Sequence, residues 1–439
     1  MTKNKRNKAA LWIASICAFG LVMGLVACAP QNSSSQTAGQ KADESQQAGT
    51  PEADEYGVVL AESWKDIYPD QYNSYMANEA NSPDSGKHDY LELYPALNTM
   101  YKGYAFALGY DEASSHLYTL QSVSESPRTT QKEQSANCIT CKTPQFTALV
   151  TKEGDTVYAQ KFNDLIGQFT EPISCYNCHE NDPSTLTVTG THWTNAIGSA
   201  IEEVPEGAAV CGQCHNEYYF PTDTKVTSYA YSNLEEMTPE SILAFYDEKG
   251  FKDWEHADTM APMIKVQHPE FETMYGGTKE ESGPMAQHGY ACSDCHMAAT
   301  EGENGTYTSH NWSSPLANAS LIENNCSQCH EDIVGEVQAV QDEEETRVTA
   351  ISEDIEAMTN AIAAKYADEI AALKAKKEAG EEYAASAELA QLQQLQREAQ
   401  FYWDFVMVEN SEGAHNPTLT WKTLDKAQAA VDEAMALLA

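Results

Sequence analysis

Ten of the chain's twelve cysteines fall into five Cys-x-x-Cys pairs, and nothing else in the sequence restricts its fold as strongly. The pairs read "CITCK" (138–142), "CYNCH" (175–179), "CGQCH" (211–215), "CSDCH" (292–296) and "CSQCH" (326–330). Histidine follows four of them; Lys142 follows the first. Zinc knuckles also use paired cysteines, but five pairs do not divide into four-sulfur sites. Structural disulfides would not repeat one spacing five times, and a dithiol redox pair normally occurs once. The intervals between pairs are irregular, which points to one multi-site domain and not to a string of repeats.

Cys-x-x-Cys-His is the attachment pattern of c-type haem. Its thiols form thioethers at one edge of the ring, and the adjacent imidazole reaches the iron from the proximal side. On this reading five haem c groups are anchored by Cys138 and Cys141, Cys175 and Cys178, Cys211 and Cys214, Cys292 and Cys295, and Cys326 and Cys329. Their proximal ligands are Lys142, His179, His215, His296 and His330. Eight other histidines remain for the distal positions: His88, His116, His192, His256, His268, His288, His310 and His415. If every iron is closed by a sixth ligand, the chain is an electron wire; if one is open, it is an enzyme. A lysine amine binds iron only when neutral, so it needs a site that lowers its pKa. A plain electron carrier gains nothing from that exchange. The expected fold is mainly α: a multihaem c-type cytochrome domain with long C-terminal helices and few short strands.

One Cys-x-x-Cys-Lys followed by four Cys-x-x-Cys-His resembles the pentahaem cytochrome c nitrite reductases, the ammonia-forming family, from about His116 to His415. "HLYTLQSVSESPRTT", "NEYYF", "IKVQHPEFE", "QHGYAC", "YTSHN" and "EGAHNP" carry further matches. The resemblance implies reduction of nitrite to ammonium at the lysine-ligated haem, fed by four bis-histidine haems. It implies His310, His116, His415 and His288 as distal ligands of the second, third, fourth and fifth haems, and Arg128, Tyr218 and His268 as catalytic partners of Lys142. Arg128, always charged, can fork onto nitrite oxygens, and His268 can carry a proton near neutral pH. Tyr218 suits orientation of intermediates. One calcium ion per subunit is implied at Glu217, Gln267 and the carbonyls of Tyr218 and Lys265. Also implied are a homodimer built on the C-terminal helices and a membrane-bound, quinol-oxidising tetrahaem cytochrome as electron donor. His88, His192 and His256 are left as surface or hydrogen-bonded histidines. An electron-transfer cytochrome without a substrate, or a same-fold reductase of hydroxylamine or sulfite, remains compatible with the sequence.

With 66 acidic and 26 basic side chains, a net charge of −40, the chain excludes nucleic acid and anionic membrane surfaces as partners. Residues 1–27 read as an export signal: Lys3, Lys5, Arg6 and Lys8 precede an apolar run from Ala9 to Ala27. "LVAC" resembles a lipobox, which implies cleavage before Cys28 and a lipid on it; an uncleaved anchor helix is the alternative. Either tethers the exported chain to the outer face of the cytoplasmic membrane, the periplasmic side if an outer membrane exists. Losing those four cations takes −40 to −44. Residues 28–56, rich in Ser, Gln and Ala, read as a flexible tether, 57–335 as the pentahaem catalytic domain, and 336–439 as a long-helix region that also carries His415. There Ile351, Ile355, Met358, Ile362, Tyr366, Ile370 and Leu373 recur at helical spacing up to a break at Gly380. That stripe fits an internal hairpin or a subunit interface, and the resemblance selects the interface.

Overall fold

The computed structural model describes residues 49–439, so the expected signal, Cys28 and most of the tether lie outside the described residues. The folded part begins slightly ahead of residue 57. The Asp54 carboxylate accepts the Tyr56 and Val58 N–H groups and Gln145 Nε2, at 2.9, 3.0 and 2.7 Å. Tyr56 packs on Phe169 at 5.5 Å, and Val58 and Val59 are buried.

From Ala61 to Gln328 the chain runs through short α- and 3-10 helices joined by loops. Among the described residues the strands form two antiparallel pairs, Trp254–Glu255 with Pro262–Met263 and Ala299–Gly302 with Gly305–Thr308. Four longer helices follow: Ile333–Lys365, Ala367–Glu378, Ala387–Met407 and Pro417–Leu438. Asp332, Ser386 and Asn416 cap three of them by accepting the N–H of Gly335, Leu389 and Leu419. Each such cap contributes roughly 1 kcal/mol. The helix expected to run to Gly380 is interrupted earlier, at Tyr366, whose φ of −108° and ψ of 19° leave the helical region. Its apolar stripe nonetheless continues through Ile370 and Leu373, both buried.

The stripe is used inside the chain. Val348, Ile351, Ile355, Met358 and Ile362 share one core with Leu392, Trp403, Leu424 and Val431, and also with Leu97, Met100, Tyr101 and Trp254. The 57–335 and 336–439 regions meet in this core. One expectation is corrected: the periodic stripe is not a subunit contact, since Ile351, Ile355, Met358 and Ile362 are at most 4% exposed within one chain. Among the described residues, no helix is long and apolar enough to cross a membrane.

Candidate active site

The second, third and fourth motifs are shaped by their own x residues. Cys175–His179 and Cys292–His296 are single helical turns. Asn177 and Asp294 close them by accepting the N–H of Ser174 and Ala291, at 3.0 and 2.7 Å. In the third motif Gly212 is sterically required, because a Cβ there would lie 2.5 Å from the Phe271 ring. Gln213 ties this motif to the second by donating to the Asn177 carbonyl at 2.9 Å. The first motif departs from the pattern. Its 3-10 turn ends at Ile139, and Cys141 takes a left-handed φ of 61°. Such a conformation costs on the order of 1 kcal/mol and persists where the surroundings enforce it. Lys142 therefore leaves its motif on a different backbone path from His179 and His296.

The motifs adjoin one another. The Cys141 sulfur lies beside Cys214, and Cys211 beside Cys292, so the first, third and fourth attachment sites are contiguous. The histidines then meet in pairs. Ring centroids lie 6.2 Å apart for His179 and His310, 5.9 Å for His215 and His116, and 6.2 Å for His296 and His415. A metal–imidazole bond of about 2 Å on each side, plus the distance from nitrogen to ring centre, sets two rings sharing one metal about 6 Å apart. In four of these histidines and in His330, Nδ1 meets an acceptor within hydrogen-bonding distance. His179 meets the Thr185 carbonyl at 2.6 Å, His310 that of Thr308 at 2.9 Å, and His296 that of Ser313 at 3.3 Å. His415 meets Glu409 at 2.7 Å, His330 meets Glu336 at 2.6 Å, and His215 lies 3.8 Å from Glu270. Occupying Nδ1 fixes the tautomer and leaves Nε2 for a metal. This donor set fits haem iron.

His256 shows the contrasting arrangement. Its Nε2 meets the Thr99 carbonyl and its Nδ1 accepts two backbone N–H groups, so no nitrogen is left for a metal. It is a structural histidine, as expected. His192 bonds the Tyr229 hydroxyl at 2.7 Å, and His88 is exposed. His288, also exposed, ends the short Pro284–Gln287 helix and makes no ring contact with His330. The structure does not bring that expected pair together.

Arg128, Lys142, Tyr218 and His268 gather around the first motif. Burial pushes the Cys138 thiol up, and the Arg128 and Lys142 charges oppose that rise. Burial, followed by the Cys141 and Cys138 sulfurs, pushes the Tyr218 phenol well up. Ser126 caps the turn that begins at Pro127. The Arg128 guanidinium lies 4.2 Å from the Phe106 ring centre and donates to the Gly109 carbonyl at 3.0 Å. The expectation that His268 charges near neutral pH changes: burial pushes its pKa down to about 4, although Glu270 pulls upward. Near neutral pH it is a neutral donor and acceptor.

Glu217, Gln267 and the Lys265 carbonyl, three of the proposed calcium ligands, also meet. Glu217 is fully buried and accepts the Gln267 N–H at 2.5 Å and the Tyr246 hydroxyl at 2.9 Å. No cation contacts it, and burial pushes its pKa well up. Gln267 Nε2 donates to the Lys265 carbonyl at 2.9 Å. Glu272 accepts the Glu217 N–H at 2.9 Å and leaves its other oxygen buried without a partner. A buried carboxylate with oxygen-rich neighbours and no ion-pair partner in contact fits a hard cation. Among the described residues, no group of three acidic, histidine or cysteine side chains forms a metal site, so backbone and amide oxygens would have to complete the shell.

The family model described as "Cytochrome c552" matches residues 61–439. The chain belongs to the cytochrome c552 family. Membership implies covalently bound haem c, which the five motifs and their paired imidazoles fit. This cytochrome is 30% identical to the cytochrome c nitrite reductase subunit NrfA of Nitratidesulfovibrio vulgaris, covering 83% of this chain and 76% of that one. It is 29% identical to cytochrome c-552 of Aliarcobacter butzleri, covering 83% and 73%. Its fold matches the solved catalytic subunit of cytochrome c nitrite reductase from Desulfovibrio desulfuricans, described with two calcium sites. That match has a TM-score of 0.73 at 25% identity, covering 87% of this chain and 86% of that one.

The sequence did not point to Glu270, Glu336, Glu409 or the carbonyls that hold Nδ1. Glu270, two residues beyond His268, and Glu336, six beyond His330, lie near enough to have been candidates.

Proposed function

We propose that this chain reduces nitrite to ammonium at a haem anchored by Cys138 and Cys141 and ligated by Lys142. His179 with His310, His215 with His116, and His296 with His415 ligate three further haems, and His330 ligates the fifth. When bound, the haem at Lys142 would supply the iron to which nitrite binds and through which electrons reach it. Arg128 has N–H groups beyond the one committed to Gly109, and its stacking on Phe106 holds the guanidinium plane for an anion. Tyr218, with its pKa pushed well up, stays a hydroxyl and can donate to a bound oxygen. His268, neutral near pH 7, can donate one proton and accept another. Glu217, Gln267 and the carbonyls of Tyr218 and Lys265 would hold calcium, adding positive charge to a strongly acidic chain. The observation that carries the reading is asymmetry: three motif histidines face a second imidazole, while Lys142 sits among an arginine, a tyrosine and a histidine.

One calcium ion per subunit, a homodimer, a lipid anchor on Cys28 outside the cytoplasm, and a quinol-oxidising tetrahaem cytochrome as donor complete the proposal. The decisive experiment is a reduced-dye assay of the purified haem protein with nitrite, counting electrons consumed per ammonium formed. Six electrons per ammonium are expected. Slow nitrite consumption without ammonium, or reduction with no ligand-accessible iron, would replace this reading by the electron-transfer one.

A further inference from the structure

The segment that carries Lys265, Gln267 and His268 has little sheet to hold it, since its only strand pairing is the two-residue ladder of Trp254–Glu255 with Pro262–Met263. Its backbone is instead met by side chains along one face of the Ala387–Met407 helix. Gln393 donates to the Thr259 carbonyl at 2.7 Å, and Gln396 accepts the Thr259 hydroxyl at 2.7 Å. Arg397 reaches the Pro262 and Phe251 carbonyls at 2.6 and 2.9 Å and Asp247 at 2.8 Å. At the end of this seam stands Asp404, fully buried. Residues 393, 396, 397, 400 and 404 recur at helical spacing, so the helix presents a polar edge where an apolar face would be ordinary.

Asp404 joins two walls of the candidate active site. One oxygen accepts the Val266 N–H at 2.9 Å; the other accepts the Tyr101 hydroxyl at 2.5 Å and Lys265 Nζ at 3.2 Å. Lys265 Nζ also donates to the Val266 carbonyl at 2.5 Å and lies 5.4 Å from the Phe106 ring centre, the ring on which Arg128 stacks. Arg128 and the Asp404-held lysine therefore both approach the Phe106 ring. Resting on the function proposed above, we infer that Asp404 is a positioning residue for nitrite reduction. It sets the Val266–His268 backbone, and with it the Gln267 and Lys265 oxygens offered to calcium, in register with the Phe106–Arg128 wall. An unpaired buried ammonium is costly, so removing this carboxylate releases Lys265 from its place beside Phe106 as well as freeing Val266.

The test compares Asp404→Asn, Tyr101→Phe and Arg397→Met in the haem-loaded full chain. The readouts are haem content, thermal midpoint, calcium affinity by titration with Ca²⁺ alone, and the separate KM and kcat for nitrite. Asp404→Asn should weaken calcium about tenfold to a hundredfold, as losing a residue that orients metal ligands does, and raise KM with five haems retained. Tyr101→Phe keeps both remaining donors and should shift the same quantities in the same direction, by less. Arg397→Met, two turns along the seam from Asp404, should lower the thermal midpoint and leave calcium affinity and KM near the parent values. Unchanged calcium affinity and KM in a fully loaded Asp404→Asn protein would overturn the inference, as would equal changes in Arg397→Met. If the parent protein failed to reduce nitrite, the proposed function would fall and this inference with it.

Discussion

Arg128 and Lys142 are the two residues on which the proposed chemistry turns, and they can be separated by experiment. Charge-assisted hydrogen bonds are worth about 1.5–3 kcal/mol, so Arg128→Ala should lower kcat/KM for nitrite about tenfold to a hundredfold. Hydroxylamine, mostly neutral near pH 7, should lose much less. Equal losses for both substrates in steady-state assays would remove Arg128 from anion binding. Lys142→His keeps Cys138 and Cys141, so haem attachment should survive while nitrite turnover falls and the optical signature of the first haem changes. Undiminished turnover would show that the lysine is not what opens this iron. The attachment residues were legible because each pair is local: two thiols and a ligand within five residues. Three distal histidines were legible through resemblance and meet their partners here. Asp404 was invisible because its partner Val266 lies 138 residues away, and a lone aspartate in a helical pattern carries no mark of what it will face.

Helical periodicity identified the C-terminal elements and left open what covers them. Ile351, Ile355, Met358 and Ile362 repeat as a stripe, but period alone cannot say whether its cover comes from the same chain. Here Leu392, Leu424 and Val431 provide it. The Ile333–Lys365 helix also buries Glu344, 3% exposed, with Glu412, Glu409 and Glu345 nearby. Burial first, then these like charges, pushes its pKa up to about 8. The folded state therefore keeps a proton that the unfolded chain gives up near the ordinary carboxyl value, and stability falls as pH rises between the two. Glu344→Gln mimics the protonated form. It should leave the melting temperature unchanged near pH 4 and raise it by about 2 °C above pH 8. A melting profile parallel to the parent's from pH 4 to 9 would contradict this account.

At the scale of the whole molecule the dominant fact is charge: 66 acids against 26 bases in 439 residues. The site proposed for an anion thus sits in a chain whose distant field repels anions, and local cations must reverse that field at the site. Arg128 stacked on Phe106, Lys142 and a cation at the buried Glu217 would do so at short range, whereas an electron donor meets the outer field first. The Debye length is about 30 Å at 0.01 M salt and about 10 Å at 0.1 M, so the outer field acts strongly only at low ionic strength. Reduction of the haems by a cationic viologen radical should be fast at low salt and slow several-fold as salt rises. An anionic reductant such as dithionite should show the opposite trend. Stopped-flow reduction with both donors across this salt range measures the two slopes directly. Slopes of the same sign would mean that electrons enter through a patch that this net charge does not govern, and the natural donor would then need no basic face.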